Sequence, residues 1–269
     1  RRDPRTAPLT LSPHRKRARA PGSDHPGYHP PRIAVRWKDG DVLDRYRCPP
    51  LLQIENLGYS TSNTRLFGGL DLNVHQGESV VLCGPSGTGK TTLLTCILGL
   101  TKPKKGRILV AGEDLTGMSR RRLASFRRKH MGMVFQFGEL LPELSPVENV
   151  ALAALLAGAD RKKAYDLARH LLADLGVPLD GAPTAYLSGG ERQRTAVARA
   201  LITGAPLILA DEPTGALDQD SRDSVADLLF ELPRRRNCAL LLVTHDQAVA
   251  ARADRRLDLI AGRLIGTQA

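Results

Sequence analysis

An apolar stretch that runs directly into a glycine-rich loop constrains this chain more than any other feature. The residues SVVLC at 79–83 read as a short buried strand, GPSGTGKT follows at 84–91, and the overlapping stretch TTLLTCILGL reads as a helix. A loop of the form G-x-x-x-x-G-K-[ST] between a strand and a helix is the context that a phosphate-binding loop requires. Its glycines let successive backbone N–H groups converge on phosphate oxygens, and the helix dipole adds to the attraction. The pattern predicts nucleotide binding, but it does not separate kinases, GTPases and transport ATPases.

The loop residues have separate expected roles. The Lys90 ammonium is expected to bridge the β- and γ-phosphates of the nucleotide, and the Thr91 hydroxyl is expected to bind Mg²⁺. The residues predicted to contact the nucleotide are Gly84, Pro85, Ser86, Gly87, Thr88, Gly89, Lys90, Thr91 and Thr92. A nucleotide and Mg²⁺ are therefore the expected ligands of this loop.

Two acidic residues follow a second apolar stretch, PLILA at 206–210. A continuous apolar run of this kind is typical of a parallel strand that is covered on both faces, and ligands bind at the carboxyl ends of such strands. Asp211 is expected to hold Mg²⁺, directly or through water, and Glu212 to polarise an attacking water molecule. The run ALLLV at 239–243 predicts a further parallel strand.

The rest of the chain from Leu51 alternates strands with helices, which argues for an α/β fold. Short apolar stretches indicate strands over Leu51–Val74 and Gly106–Leu115, and a hairpin that turns at Ala261 and Gly262. Helical periodicity is found over Pro146–Leu175 and Ser221–Leu232.

The net charge of +11 is unevenly distributed. Residues 1–50 contain 12 Lys and Arg against 5 Asp and Glu, together with 9 of the 18 prolines. A segment so rich in Pro and Arg lacks the apolar periodicity that a core needs, so we expect a disordered tail, with a basic arm that touches anionic lipid or nucleic acid as the alternative. Because most of the excess charge lies there, no specific nucleic-acid partner is expected.

The cysteines and the hydropathy pattern suggest a compartment. The four cysteines lack the paired spacing of a zinc site or a disulfide framework, which favours a reducing environment. No stretch approaches the roughly 18–20 apolar residues needed to span a bilayer, and the Arg-rich start lacks the apolar segment of a signal peptide. We therefore expect a cytoplasmic protein whose action at a membrane needs a partner.

With LSGGERQR at 187–194 the sequence resembles the ATP-binding cassette (ABC) family, whose signature is a Leu-Ser-Gly-Gly-Gln-like loop at a helix start. In this family the Ser188 hydroxyl and the backbone N–H groups of Gly189 and Gly190 face the γ-phosphate bound by the other subunit. The resemblance implies a head-to-tail homodimer around two ATP molecules. Glu191 replaces the common Gln and leaves the Ser-Gly-Gly core intact.

The resemblance extends to four further positions in the expected order. Tyr59 lies where the family stacks an aromatic ring on adenine, with strand packing as the alternative. Gln136 matches the loop that reaches towards Mg²⁺ and water and lies beside the membrane subunit. Asp218 ends the GALD loop that communicates between subunits, and His245 matches the histidine that contacts the γ-phosphate. Glu212, His245, Gln136 and Lys90 are therefore the implied catalytic residues.

The resemblance covers about residues 51–269 and implies a P-loop NTPase (RecA-like) core with an antiparallel β subdomain. It also implies an inserted α-helical subdomain at about 137–195. The segments GRILVAGEDLTGMSRRRLASFRRKHMGMVFQ, LLPELSPVENV and DEPTGALD look like the branch with lipoprotein-release, macrolide-export and cell-division-type ATPases.

Such proteins work with membrane subunits that carry large extracytoplasmic domains. Because the chain stops soon after His245, a transmembrane permease on a separate chain is expected, with this subunit at the cytoplasmic face of the membrane and export or membrane extraction as the transport direction. Two alternatives stay open. One is an ATPase that changes a membrane partner's shape to control a cell-wall enzyme, and the other is a soluble ABC ATPase that acts on nucleic acid or ribosomes.

Overall fold

A computed structural model of the chain describes residues 48–61, 64–179 and 181–267. The chain divides into two units, Arg1–Gly40 and Asp41–Ala269, and all described residues belong to the second. The predicted tail at 1–50 lies outside the described residues except for its last three positions.

Ten strands and seven helices make up the described part of the chain. The strands are β1 (Leu52–Ser60), β2 (Arg65–Val74), β3 (Ser79–Cys83), β4 (Lys105–Val110), β5 (Glu113–Asp114), β6 (Met131–Val134), β7 (Leu207–Asp211), β8 (Ala239–Val243), β9 (Arg255–Ile260) and β10 (Arg263–Thr267). The helices are α1 (Lys90–Ile97), α2 (Arg120–His130), α3 (Pro146–Leu156), α4 (Arg161–Asp174), α5 (Gly189–Leu201), α6 (Gln219–Arg236) and α7 (Gln247–Ala250).

The central sheet has six strands in the order β10-β9-β3-β8-β7-β6. Pairing is parallel from β9 to β6, and only β10 is antiparallel to its neighbour. Strand β3 shows why apolar runs form this sheet, because its side chains alternate between the two faces. Val80 and Leu82 pack into one core, whereas Val81 and Cys83 pack into a second core on the opposite face.

These two cores connect the central sheet to its neighbours. The first core lies between the sheet, helix α1 and a four-stranded sheet of order β2-β1-β4-β5, whose pairs are all antiparallel. The second core is closed by α5 and α6. A third core lies among α3, α4 and the side of α5 that carries Ala198 and Ile202.

The parallel register brings three loops to one edge of the central sheet. Leu82 of β3 and Asp211 of β7 both lie opposite Val243, the last residue of β8. The loops that leave β3, β7 and β8 therefore emerge side by side, at the edge where ligands bind in parallel sheets.

The elements agree with the sequence-based expectations at most positions. The predicted strands are all present, and the terminal hairpin turns at Ala261, whose φ is 48°, and at Gly262. The helix predicted over Ser221–Leu232 extends over Gln219–Arg236, because Asp218 caps its start and Pro233 is accommodated in its last turn. Helices α2 and α7 and strand β6 were not predicted.

No helix within the described ranges is both long enough and apolar enough to cross a lipid bilayer.

Candidate active site

The loop at 84–91 encloses the ammonium group of Lys90. The Lys90 Nζ donates hydrogen bonds to the carbonyl oxygens of Gly84 at 2.8 Å and Pro85 at 2.9 Å, and the residue is only 8% exposed. A buried cation that is hydrogen-bonded only to neutral main-chain carbonyl oxygens binds an anion such as phosphate more strongly. The structure thus places this charge at the centre of the predicted phosphate site.

Two glycines of the loop occupy positions closed to other residues. Gly84 has φ 147°, and a Cβ there would lie 2.7 Å from the carbonyl oxygen of Leu259. Gly89, with φ 101°, is the N-cap of α1, and a Cβ there would press on Leu66 and Phe67. No side chain caps this helix start, so the N-terminal N–H groups of α1 remain directed at a ligand.

The remaining predicted loop residues line its rim. Pro85, Ser86 and Gly87 are exposed, and the Thr88 hydroxyl donates to the Pro85 carbonyl oxygen at 2.9 Å. Thr92 lies half-buried in the first turn of α1. Their contacts with a nucleotide stay predictions.

Thr91, in the first turn of α1, and Asp211, at the end of β7, are in contact. The Thr91 side chain hydrogen-bonds to the Asp211 carboxyl group, while burial raises the pKa of this carboxyl. The Oδ1 atom of Asp211 is buried and, among the described residues, has no hydrogen-bond partner. A buried carboxylate oxygen without a partner is costly, so this atom is suited to hold a cation, directly or through water.

The carboxylate of Glu212 is held by the loop that follows β8. Its Oε1 lies 2.9 Å from Nδ1 of His245, and its Oε2 accepts hydrogen bonds from the Thr244 hydroxyl at 3.1 Å and the His245 backbone N–H at 3.4 Å. The Glu212 side chain is 17% exposed, whereas that of His245 is 67% exposed. The two residues predicted to be catalytic thus contact each other, and the exposed imidazole has room to turn away.

Gln136 begins the loop after β6 and lies beside the loop after Glu212. Its amide nitrogen would be 3.1 Å from a Cβ built on Gly215, whose N–H donates to the Glu212 carbonyl oxygen. Helix α5 fixes the same loop, since the Gln193 amide donates to the Phe135 carbonyl oxygen at 2.9 Å.

Arg199, two turns further along α5, adds a second attachment. Its guanidinium donates to the carbonyl oxygens of Glu139 at 2.6 Å and Gly138 at 2.7 Å. Burial lowers the pKa of Arg199, and the carbonyl oxygens supply the acceptors that such a buried cation needs. The Gln136 loop is therefore attached to α5 on both sides of Gln136.

The Ser188 loop forms the start of α5. Ser188 and Glu191 make a capping box: the Ser188 hydroxyl accepts from the Glu191 N–H, and the Glu191 carboxylate accepts from the Ser188 N–H at 2.8 Å. These hydrogen bonds hold the pKa of Glu191 below its usual value. Gly189 lies against Leu217, and Gly190 lies against Ser221.

Two predicted residues have structural contacts within the subunit. Asp218 is the N-cap of α6, where its carboxylate accepts from the Ser221 N–H at 3.0 Å and its pKa is lowered by that bond. Tyr59 is half-buried, and its ring centroid lies 5.9 Å from that of Phe67, which is part of the first core. The strand-packing alternative for Tyr59 thus has a contact in its favour, and stacking on adenine stays a prediction.

Four residues of this region were not identified from the sequence: Gln193, Arg199, Thr244 and Asp246. Gln193, Thr244 and Asp246 lie within a few residues of a predicted position, and the partners of Gln193, Arg199 and Thr244 are distant along the chain. Of the four, only Asp246 could have been identified from the sequence. Asp is a preferred N-cap residue, and Asp246 precedes the short helix α7.

The comparisons with known proteins identify the family of this chain. A family model described as ABC transporter matches residues 67–215, more than half of the chain. The chain therefore belongs to the ABC transporter family, as an ATPase of the ATP-binding cassette type with the predicted α/β P-loop fold. ATP is its nucleotide.

Two relatives are matched over nearly their whole length. The chain is 43% identical over 219 residues to the lipoprotein-releasing system ATP-binding protein LolD of Chromohalobacter salexigens, covering 81% of this chain and 92% of that protein. It is 40% identical over 216 residues to the LolD of Bacteroides fragilis, covering 80% of this chain and 100% of the relative.

Two solved structures share the fold. The dimeric ATP-binding cassette MJ0796, in a post-hydrolysis state bound to ADP and phosphate, superposes with a TM-score of 0.73 at 30% identity, covering 81% of this chain and 98% of the other. The structure of cbiO1 from Clostridium perfringens, part of an ABC transporter complex, gives a TM-score of 0.74 at 28% identity, with 81% and 88% covered.

Proposed function

We propose that this chain is the ATPase subunit of a transporter that extracts lipoproteins from a membrane, working at the cytoplasmic face with a separate transmembrane permease. The observation that carries the proposal is the 43% identity to a lipoprotein-releasing ATPase across 92% of that protein's length. The LolD of Bacteroides fragilis, which is matched over 100% of its length, supports the same proposal.

The working unit we propose is a head-to-tail homodimer around two ATP molecules. Ser188 stands at the start of a 13-residue helix, where a hydroxyl, main-chain N–H groups and the helix dipole together favour an anion. Two-fold symmetry repeats any contact between this loop and a partner's nucleotide, and so makes two equivalent sites. The dimeric state of the related MJ0796 cassette supports this arrangement.

We propose that Mg²⁺ binds where Thr91 meets Asp211. No group of three or more His, Cys, Asp or Glu side chains in the described ranges suits a metal ion, so the protein would supply few ligands and the phosphates the others, as is usual for this ion. The partnerless Oδ1 of Asp211 fits a cation that is held directly or through water. When bound, Mg²⁺ neutralises charge on the phosphates.

Hydrolysis requires an in-line attack of water on the γ-phosphate. In the proposed mechanism His245 turns from Glu212 to the γ-phosphate, and the released carboxylate oxygen orients or deprotonates the water. Lys90 leaves the two loop carbonyls and stabilises the charge that develops on the phosphate oxygens. Gln136 completes the water site. Loss of the shared γ-phosphate then opens the dimer, because the contacts that favour the closed state are gone.

The segment from Gln136 to Val150 is the proposed link to the permease. It displays two large apolar side chains, Phe137 at 71% exposure and Leu141 at 47%, and exposed aromatic residues are typical of protein contacts. Because α5 holds the main chain of this loop through Gln193 and Arg199, movement of the Ser188 loop is passed to the surface that faces the partner.

We expect Ser188→Ala to abolish ATP-driven dimerisation, and Ser145→Ala to leave it intact. Both serines belong to capping boxes, with Glu191 at the start of α5 and Glu148 at the start of α3. Each substitution should therefore cost about 1 kcal/mol of unfolding free energy. Chemical denaturation measures the change in unfolding free energy, and light scattering with ATP measures dimerisation. Equal dimerisation of the two variants would contradict a nucleotide contact at Ser188.

The transport proposal is tested by affinity purification from the native membrane, with Glu212→Gln and Mg-ATP used to hold the closed dimer. We expect a multi-span protein with a large extracytoplasmic domain to copurify. Reconstituted with the wild-type subunit in proteoliposomes, it should release an acylated lipoprotein in an ATP-dependent manner. ATP cycling without lipoprotein release would favour an ATPase that regulates its membrane partner. Copurification of ribosomes or DNA-bound proteins without a membrane protein would overturn the transport proposal.

A further inference from the structure

Thr244 connects the Glu212 carboxylate to the framework of the central sheet. The residue follows β8 directly, is 1% exposed, and donates its backbone N–H to the Leu82 carbonyl oxygen at 3.2 Å. Its side-chain hydroxyl donates to Oε2 of Glu212 at 3.1 Å. One end of this residue is thus fixed to β3, and the other end holds the carboxylate.

The direction of the Thr244 hydroxyl is set by its second contact. The Asp246 N–H donates to the Thr244 oxygen at 3.1 Å, so that oxygen already serves as an acceptor. Asp246 is itself fixed, since its carboxylate accepts from the Ala248 and Val249 N–H groups at the start of α7 and lies 3.4 Å from the Arg222 guanidinium. The Thr244 proton is consequently directed at Glu212.

Glu212 needs such support because its own backbone is unfavourable. Its φ is 45°, in the left-handed region that non-glycine residues rarely adopt. Backbone strain of this kind persists only where the surroundings determine the conformation. Here the Glu212 N–H donates to the Val243 carbonyl oxygen at 2.9 Å, and Thr244 fixes the far end of the side chain.

We propose that Thr244 is a positioning residue for ATP hydrolysis, holding Oε2 of Glu212 so that only Oε1 is released to the attacking water. The two carboxylate oxygens have different contacts. Oε1 contacts the exposed His245 imidazole, which has room to move. Oε2 contacts the buried Thr244 hydroxyl at 3.1 Å and, at the longer distance of 3.4 Å, the His245 backbone N–H, and both are fixed. The inference rests on the proposed role of Glu212 and adds the residue that gives its carboxylate a single orientation.

The test compares steady-state hydrolysis by Thr244→Val, which keeps the side-chain shape but lacks the hydroxyl, with Thr244→Ser, which keeps the hydroxyl. We expect Thr244→Val to lower kcat by about 10- to 100-fold, the cost of a misplaced catalytic group, with the KM for ATP nearly unchanged. Thr244→Ser should restore most of the rate. A wild-type kcat for Thr244→Val, or equal losses in both variants, would overturn the proposal.

A second pair keeps the test decisive if Thr244→Val does not fold. Serine and cysteine are close in size, but the thiol is a weak donor, so Thr244→Cys should be slower than Thr244→Ser at equal thermal stability. Equal rates for this pair would also overturn the proposal.

The Glu212→Gln background separates this inference from the proposed function. If Glu212→Gln still hydrolyses ATP rapidly, the role of Glu212 fails, whatever Thr244 does. If Glu212→Gln is inactive and Thr244→Val is fully active, only the role of Thr244 fails. When both are correct, adding Thr244→Val to Glu212→Gln causes no further loss, because Thr244 acts through the carboxylate.

Discussion

Glu212→Gln should reduce ATP hydrolysis by about 10²- to 10⁴-fold, the usual contribution of a general base, and leave ATP binding intact. The amide oxygen of glutamine keeps an acceptor for the Thr244 hydroxyl, so the local structure is retained. With Mg-ATP the variant should accumulate as a closed dimer, because the shared γ-phosphate is not removed. Phosphate release measures the first effect, and size-exclusion chromatography with light scattering measures the second.

A matched control is Glu231→Gln, which removes a carboxylate from the exposed side of α6, where it pairs with Arg235. Exposed ion pairs contribute little to stability, so this variant should hydrolyse ATP and dissociate like the wild type. Rapid turnover by Glu212→Gln would contradict the assignment of Glu212 as the group that activates water.

Lys90→Met should weaken ATP binding by about 10- to 150-fold, the equivalent of the roughly 1.5–3 kcal/mol contributed by a hydrogen bond to a charged group. Methionine keeps an unbranched side chain in this 8% exposed position and removes only the ammonium. The Gly84 and Pro85 carbonyl oxygens lose their donor, so a small decrease in thermal stability without nucleotide should accompany the loss. Titration calorimetry with ATP measures the affinity.

Lys102→Met provides the comparison, since it removes an exposed positive charge outside the loop. We expect it to bind ATP with wild-type affinity at physiological ionic strength, where distant surface charges are screened. If both variants lost affinity equally, the general positive charge of the chain would explain ATP binding, and the Lys90 position would have no special role.

The features that the sequence predicted are those encoded in short, contiguous stretches. The phosphate loop needs only eight adjacent residues, and the buried strands β3, β7 and β8 are continuous apolar runs. Their arrangement followed from the general rule that such strands are parallel and covered on both faces. The meeting of Thr91 with Asp211 was therefore predictable in outline.

Two elements lacked a local signal. Helix α2 buries only Phe126 among its eleven residues, with Leu123 half-buried beside it, so its apolar signal is weak. Strand β6 has four residues, one of them Gly132, where a Cβ would lie 2.3 Å from the Ala200 carbonyl oxygen. The close approach of α5 explains that glycine, but such contact is visible only after the chain is folded.

The same reason accounts for the contacts that were missed at the site. Thr244 and Glu212 are 32 positions apart, and they meet because β7 and β8 are neighbours in register. Arg199 and Glu139 are 60 positions apart, and the Arg199 guanidinium on α5 donates to the Glu139 carbonyl oxygen in the loop after β6. The residue types were visible in the sequence, whereas their partners depend on sheet order and helix placement.

The hydrogen bonds that attach the Gln136 loop to α5 involve only main-chain atoms of the loop. Both anchors bind main-chain carbonyl oxygens, those of Phe135, Gly138 and Glu139, and every residue type supplies such an oxygen. The exposed side chain of Phe137 is therefore not needed for these hydrogen bonds. Residue 137 can be exchanged without loss of the hydrogen bonds that hold the loop beside Gln136.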